Sequence, residues 1–134
     1  MIGIVIVAHG GLAREYLAAV EHVVGPQAGI RTVAIQPDDD RAAKQTEICD
    51  AADAVDAGGG VVIVTDLFGG SPSNLSLRAC GPDNRRILYG MNLPMLIKLT
   101  KSRRKTVPVA VEAALQAARK YIDSHAVGNG TGRG

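Results

Sequence analysis

Residues 2–11 read IGIVIVAHGG: an apolar run from Ile2 to Ala8, one histidine, then two glycines. A run rich in β-branched residues with no polar alternation suits a strand buried on both faces, the habit of parallel sheets covered by helices. Val61–Thr65 (VVIVT) and Ile87–Tyr89 (ILY) have the same character, and Ile30–Ile35 is a fourth run mixed with Arg31 and Thr32. Helical spacing fills the intervals. Leu12, Tyr16, Val20, Val23 and Val24 form one stripe, stopped at Gly25-Pro26. Residues 39–56 carry Ile48, Ala51, Ala52 and Val55 and stop at Gly58-Gly59-Gly60. A third helix opens at Ser71-Pro72, where serine can cap and proline suits the first turn. A short one follows Pro94, and a last one carries Val107, Val111, Ala114, Leu115, Ala118 and Ile122 at three- and four-residue steps. Strand and helix in alternation mean crossover units, hence a three-layer α/β fold with a mainly parallel sheet and helices on both faces.

The chain has 134 residues, 46% hydrophobic, enough for one domain with a real core. Its 15 basic and 13 acidic residues leave a net charge of +2, far from the basic excess of a nucleic-acid or membrane-surface binder. Aromatic residues are 3% with no Trp, which excludes a base-stacking platform. Cys49 and Cys80 fit no zinc or redox spacing and make no disulfide framework. No apolar run approaches the roughly 20 residues of a membrane span, and Met1–Gly10 lacks the marks of a secretory signal. The expectation is a soluble, cytoplasmic protein with reduced thiols, no nucleic-acid partner and no direct membrane insertion.

In open parallel sheets, ligands gather beyond the carboxyl ends of the strands. Strand one is followed by His9-Gly10-Gly11, strand three by Asp66-Leu67-Phe68-Gly69-Gly70-Ser71-Pro72, and strand four by Gly90-Met91-Asn92-Leu93-Pro94. Neutral imidazole is a good nucleophile once its tautomer is fixed. A carboxylate on one ring nitrogen frees the lone pair of the other, and Asp66 can serve if strands one and three are neighbours. Gly69-Gly70 let backbone approach a ligand closely. The helix start after them offers unpaired N–H groups and partial positive charge to a phosphate, with the Ser71 hydroxyl as a further donor. There is no GK[ST] loop and no GxGxxG, so ATP and NAD have no support, and neither a metal nor another cofactor is expected. Together these elements fit a protein that takes a phosphoryl group onto His9 from another protein and passes it on.

In this order, IGIVIVAHG, TDLFGGSPSN and GMNLPML resemble the mannose-type enzyme IIA domain of the bacterial phosphoenolpyruvate-dependent sugar phosphotransferase system, over Ile2 to about Ile122. The resemblance implies that His9 is phosphorylated on Nε2 with Asp66 on its Nδ1 side. It implies that Ser71, with Gly69 and Gly70, holds the phosphoryl group, and that Gly10, Phe68, Asn92 and Pro94 edge the pocket. It implies phospho-HPr, charged by enzyme I, as donor and an enzyme IIB component as acceptor. It further implies a sheet of order 2-1-3-4 with flavodoxin-like winding, and a homodimer, in some members through an exchanged C-terminal strand. Residues 1–124 are read as the IIA domain and 125–134 as a flexible Gly-rich tail. After Ile122 the sequence DSHAVGNGTGRG offers neither an apolar strand nor an Ala/Pro linker.

Three other readings compete with this one. A regulatory protein would use the same phosphorylation as a nutritional signal to an effector. A histidine phosphatase-like hydrolase wants Arg before the histidine, where Ala8 stands, and a receiver domain wants an acidic pair after strand one. His22 reads as solvated, His125 belongs to the tail, and Asp38-Asp39-Asp40 are acids at a helix start. Lys101, Arg103, Arg104 and Lys105 read as a solvated helix junction or as a surface for an acidic partner. Cys49 and Cys80 read as small buried hydrophobes within helices.

Overall fold

The computed structural model describes residues 1–67 and 84–128. The elements are β1 (Gly3–His9), α1 (Leu12–Val24), β2 (Ile30–Ile35), α2 (Arg41–Val55), β3 (Val61–Thr65), β4 (Arg85–Leu88), α3 (Leu93–Lys101) and α4 (Val107–Lys120). The four strands are parallel in the order β2-β1-β3-β4. The helix expected at Ser71-Pro72, and Cys80 with it, lies outside the described residues.

β1 is buried from Gly3 to Ala8 because both of its faces are covered. Ile4, Ile6 and Ala8 point into the core under α1, α3 and α4, with Val62, Val64, Leu96, Leu99 and Ala114. Val5 and Val7 point the other way, with Ile63, Val33, Ile48, Ala52 and Val55 under α2. The alternation of strand side chains divides one apolar run between two cores. Gly3 is needed for contact: a Cβ there would collide with the Val55 carbonyl at the end of α2.

The outer strands explain the mixed runs. β2 and β4 are edges: β4 alternates half-buried and exposed positions before ending on buried Leu88, and β2 has exposed Arg31 but buries Val33 and Ile35. β4 therefore begins two residues before the apolar Ile87 and ends at Leu88, leaving Tyr89 out. Arg85 can enter the strand because its guanidinium reaches Asp53 and Asp56 at 2.8 and 3.1 Å, at the end of α2.

The helices differ from the sequence reading in detail. In α1 the buried stripe is Ala13, Tyr16, Leu17, Val20 and Val24. Leu12 and Val23 are 47% and 54% exposed, each one residue off that stripe and so rotated away by about 100°. α2 starts at Arg41, with Asp40 as the cap accepting from the Ala43 N–H at 2.9 Å. α4 ends at Lys120, so Ile122, at 74% exposure, is no part of the core.

Arg103 corrects the reading of a wholly solvated basic junction. It is 4% exposed and lies at the amino edge of the sheet. Its Nε donates to the Ile2 carbonyl at 2.8 Å, Nη1 to the Ala28 carbonyl at 2.6 Å, and Nη2 to the Gly29 carbonyl at 3.0 Å. These are carbonyls of the β1 start and the α1–β2 loop, and a planar fork of donors satisfies several at once. Desolvation lowers the guanidinium's pKa from its ordinary value. Arg104 and Lys105 do face solvent.

Candidate functional site

The chain leaves β1 toward β2 on one side, while β4 lies beyond β3 on the other, so the winding reverses between β1 and β3. His9 is the last residue of β1 and Asp66 follows the last residue of β3. Both stand at the switch-point crevice where such sheets bind ligands.

Backbone arithmetic places them together. The Gly3 N–H donates to Gly60 of the β3 side, whereas the Ile4 and Gly10 N–H groups donate to Gly29 and Ile35 of the β2 side. Odd-numbered amides of β1 thus face β3, and His9 is the last of that series. The β1–β3 register ends at Val7 opposite Thr65. The Thr65 carbonyl faces the other way and accepts from the Met91 N–H at 3.0 Å, on the β4 side. Asp66 supplies the missing acceptor: its Oδ2 lies 3.0 Å from the His9 backbone nitrogen and 2.9 Å from His9 Nδ1.

One carboxylate oxygen therefore holds the main chain and the ring of the same residue. An ionised carboxylate only accepts, so the proton belongs on Nδ1 and the lone pair on Nε2. The His9 side chain is 46% exposed and that of Asp66 13%, so the ring faces solvent over a largely covered anchor. Asp66 Oδ1 is buried and has no hydrogen-bond partner among the described residues, where no cation pairs with this carboxylate apart from the ring itself. The arrangement orients the imidazole through Nδ1 and leaves Nε2 as the ring nitrogen open to a ligand.

Gly10, at φ 58°, turns the chain sharply from β1 into α1. Gly11 is the N-cap of α1 and lends it no side-chain cap. A cavity of about 420 Å³ adjoins this turn, lined in part by Gly10, Gly11, Arg14, Gln36 and Glu47. Its acid is already engaged: Lys44 Nζ donates to Glu47 at 2.7 Å, and that bond, ahead of charge attraction, raises the Lys44 pKa. Sequence reading did not single out Arg14, Gln36 or Glu47, since they converge only through packing of α1, β2 and α2.

Phe68, Gly69, Gly70 and Ser71 lie outside the described residues. Asn92 has a structural task, accepting from the Met95 N–H at 3.0 Å to cap α3 and donating Nδ2 to the Ala118 carbonyl at 2.8 Å. Pro94 falls in the first turn of α3 and borders the groove between α3 and α4. Among the described residues no group of His, Cys, Asp and Glu is arranged to hold a metal, and no helix is long and apolar enough to cross a membrane. Asp39 accepts from the Gln36 N–H at 2.6 Å and Asp40 caps α2, which accounts for two acids of that run. His22 is exposed, and Cys49 is partly buried against the α2 core, where desolvation raises its pKa.

Fold and site together define a doubly wound α/β protein with a carboxylate-anchored histidine at its switch point. Comparison with known proteins narrows the class. The chain belongs to the PTS system fructose IIA component family (EIIA-man), whose family model matches residues 3–118. It is 27% identical over 103 residues to the mannose-specific EIIAB component of the PTS of Escherichia coli K12, covering 76% of this chain and 32% of that protein. The chain thus spans about a third of the length of this curated relative. Among solved structures it is similar to the PTS IIA protein associated with the fucose utilization operon of Streptococcus pneumoniae. That match has 28% identity and a TM-score of 0.81 and covers 92% of each chain. The mannose/sorbose-specific IIA subunit of Enterococcus faecalis, at 24% identity, shares the fold with a TM-score of 0.82 over 94% of this chain and 96% of that one.

Proposed function

We propose that the protein is a cytoplasmic phosphocarrier of the phosphotransferase system, taking a phosphoryl group from phospho-HPr on His9 and passing it to an enzyme IIB component during sugar uptake. The observation that carries this reading is the 2.9 Å contact between His9 Nδ1 and Asp66 Oδ2, which leaves the Nε2 lone pair outward. In the transfer, Nε2 attacks phosphorus as the donor's N–P bond breaks, and that bond's electron pair returns to the donor's ring nitrogen. The phosphorylated ring of His9 then carries positive charge with Nδ1–H intact, and Asp66 stabilises it as a triad aspartate stabilises imidazolium. Release to the acceptor reverses the step.

The sequence of residues 69–71 favours Gly69, Gly70 and Ser71 as the phosphate cradle, since glycines allow close backbone approach and a following helix start attracts anions. Half exposure of the ring suits exchange between proteins, because both partners must reach the same nitrogen. Residues 1–124 act as the IIA unit in this reading.

The test is incubation with enzyme I, HPr and labelled phosphoenolpyruvate. The chain should gain one acid-labile, base-stable phosphate, absent in His9→Ala. Label persisting in His9→Ala overturns the assignment.

A further inference from the structure

We propose that the groove between α3 and α4 docks an acidic amphipathic helix of a partner protein, on a surface whose lining does not include His9. The basic group noted in the sequence is divided by the fold. Arg103 is consumed inside, whereas Lys101 joins Lys98 and Lys120 around a single groove of about 470 Å³. Ile97, Ala113 and Ala117, all half-buried, supply its apolar part, and the three lysines are exposed. No carboxylate is among its lining residues, and none of the three lysines is in an ion pair among the described residues.

The shape follows from residue size. Ala113 and Ala117 lie one turn apart on α4, so the outer face of that helix is low where it meets Ile97 of α3. The lining runs from Ala113 on α4 to Tyr121 just past its end, about 12 Å at the helical rise per residue, which is the length of two turns of a bound helix. An apolar stripe on such a helix would fill the slot and its flanking carboxylates would meet the lysines. Each lysine is in the last turn of its own helix, where a cation complements the dipole. That local reason does not by itself turn all three toward one groove in a chain whose net charge is only +2.

Charge also selects the occupant. A second copy seated by two-fold symmetry would set three lysines against three lysines, a repulsive arrangement. An acidic helix instead gains from each of them, in proportion to how little salt is present.

The test uses the whole 134-residue chain, isotope-labelled, titrated with a synthetic helical peptide of about 12 residues carrying an apolar stripe flanked by Glu. Its scrambled sequence and its Glu→Lys counterpart are the controls. Saturable amide shifts should appear at Ile97, Ala113 and Ala117 and weaken about tenfold at high salt. They should also weaken about tenfold in K98E/K101E/K120E and less in K98Q/K101Q/K120Q, both checked for an intact amide spectrum. The proposal is overturned if no saturable shift occurs at the groove up to about 2 mM peptide. Equal binding of the scrambled peptide, or binding unchanged by both triple variants, also overturns it. So does sedimentation as a dimer with the groove amides protected, which would make the occupant a second copy. No phosphoryl transfer is read, so failure here is separate from failure at His9.

Discussion

Asp66 grips His9 through a single oxygen, Oδ2, which lies 3.0 Å from the backbone nitrogen and 2.9 Å from ring Nδ1. The carboxylate thus ends the β1–β3 ladder and orients the imidazole together, and strand register and side-chain chemistry are coupled at one atom.

Asp66→Asn separates those two tasks. The amide oxygen can still accept the His9 backbone N–H, so the fold should persist with only a small change in Tm. The ring loses its acceptor-only partner, the competing tautomer becomes populated, and phosphoryl transfer should slow by about 10²- to 10⁴-fold. Quench-flow transfer rates, with nitrogen NMR of the ring, check both halves. Transfer at the wild-type rate removes Asp66 from the mechanism.

Arg103→Ala should destabilise the protein by about 2 kcal/mol, because the Ile2, Ala28 and Gly29 carbonyls lose their donors, that of Ile2 in a buried place. Arg103→Lys should recover only part, since an ammonium cannot match the planar fork. Urea unfolding measures both. A loss under about 0.5 kcal/mol, the size of a surface substitution, shows that the junction is solvated after all.

Gly3→Ala forces a methyl group against the Val55 carbonyl and should cost about 2 kcal/mol through displacement of the end of α2. Gly11→Ala, where a Cβ meets nothing within 4 Å, is the control and should leave stability nearly unchanged. Equal thermal midpoints for the two variants refute this packing.

Acid should act partly through Asp56. Its pKa is lowered, first by the Gly58 N–H and then by Arg85. A depressed carboxyl pKa adds stability that is present above its unfolded value, near pH 4, and is lost as pH falls through the lower folded value. Asp56→Asn should therefore flatten the decline in stability below about pH 4 and leave the profile shape above pH 5 unchanged. Denaturant midpoints across that range decide it.

Much of the architecture was legible because burial on two faces leaves an unbroken apolar run. Ile2–Ala8 and Val61–Thr65 announced central strands, while the mixed Ile30–Ile35 run and Arg85–Leu88 are edges, where water reaches one side. Helix starts were legible where a side chain caps them, as Asp40 does for α2. Faces were less so: nothing local distinguishes Leu12 from Ala13 as the residue turned inward, since both are apolar and the choice depends on where α1 seats against the sheet. The Arg103 side chain read as solvated because charge alone cannot reveal a cradle of carbonyls assembled from Ile2, Ala28 and Gly29.

By itself, then, the sequence settled the repeating strand–helix unit and put a histidine and a carboxylate at the ends of two strands, since periodicity and chain order are local properties. The family resemblance implied that those strands are neighbours, but only the folded chain decided that their register ends two residues short of His9 and that Asp66 completes it across 57 residues of sequence. Such pairing is chosen by packing two cores against one sheet at once, a condition that no short window of residues contains.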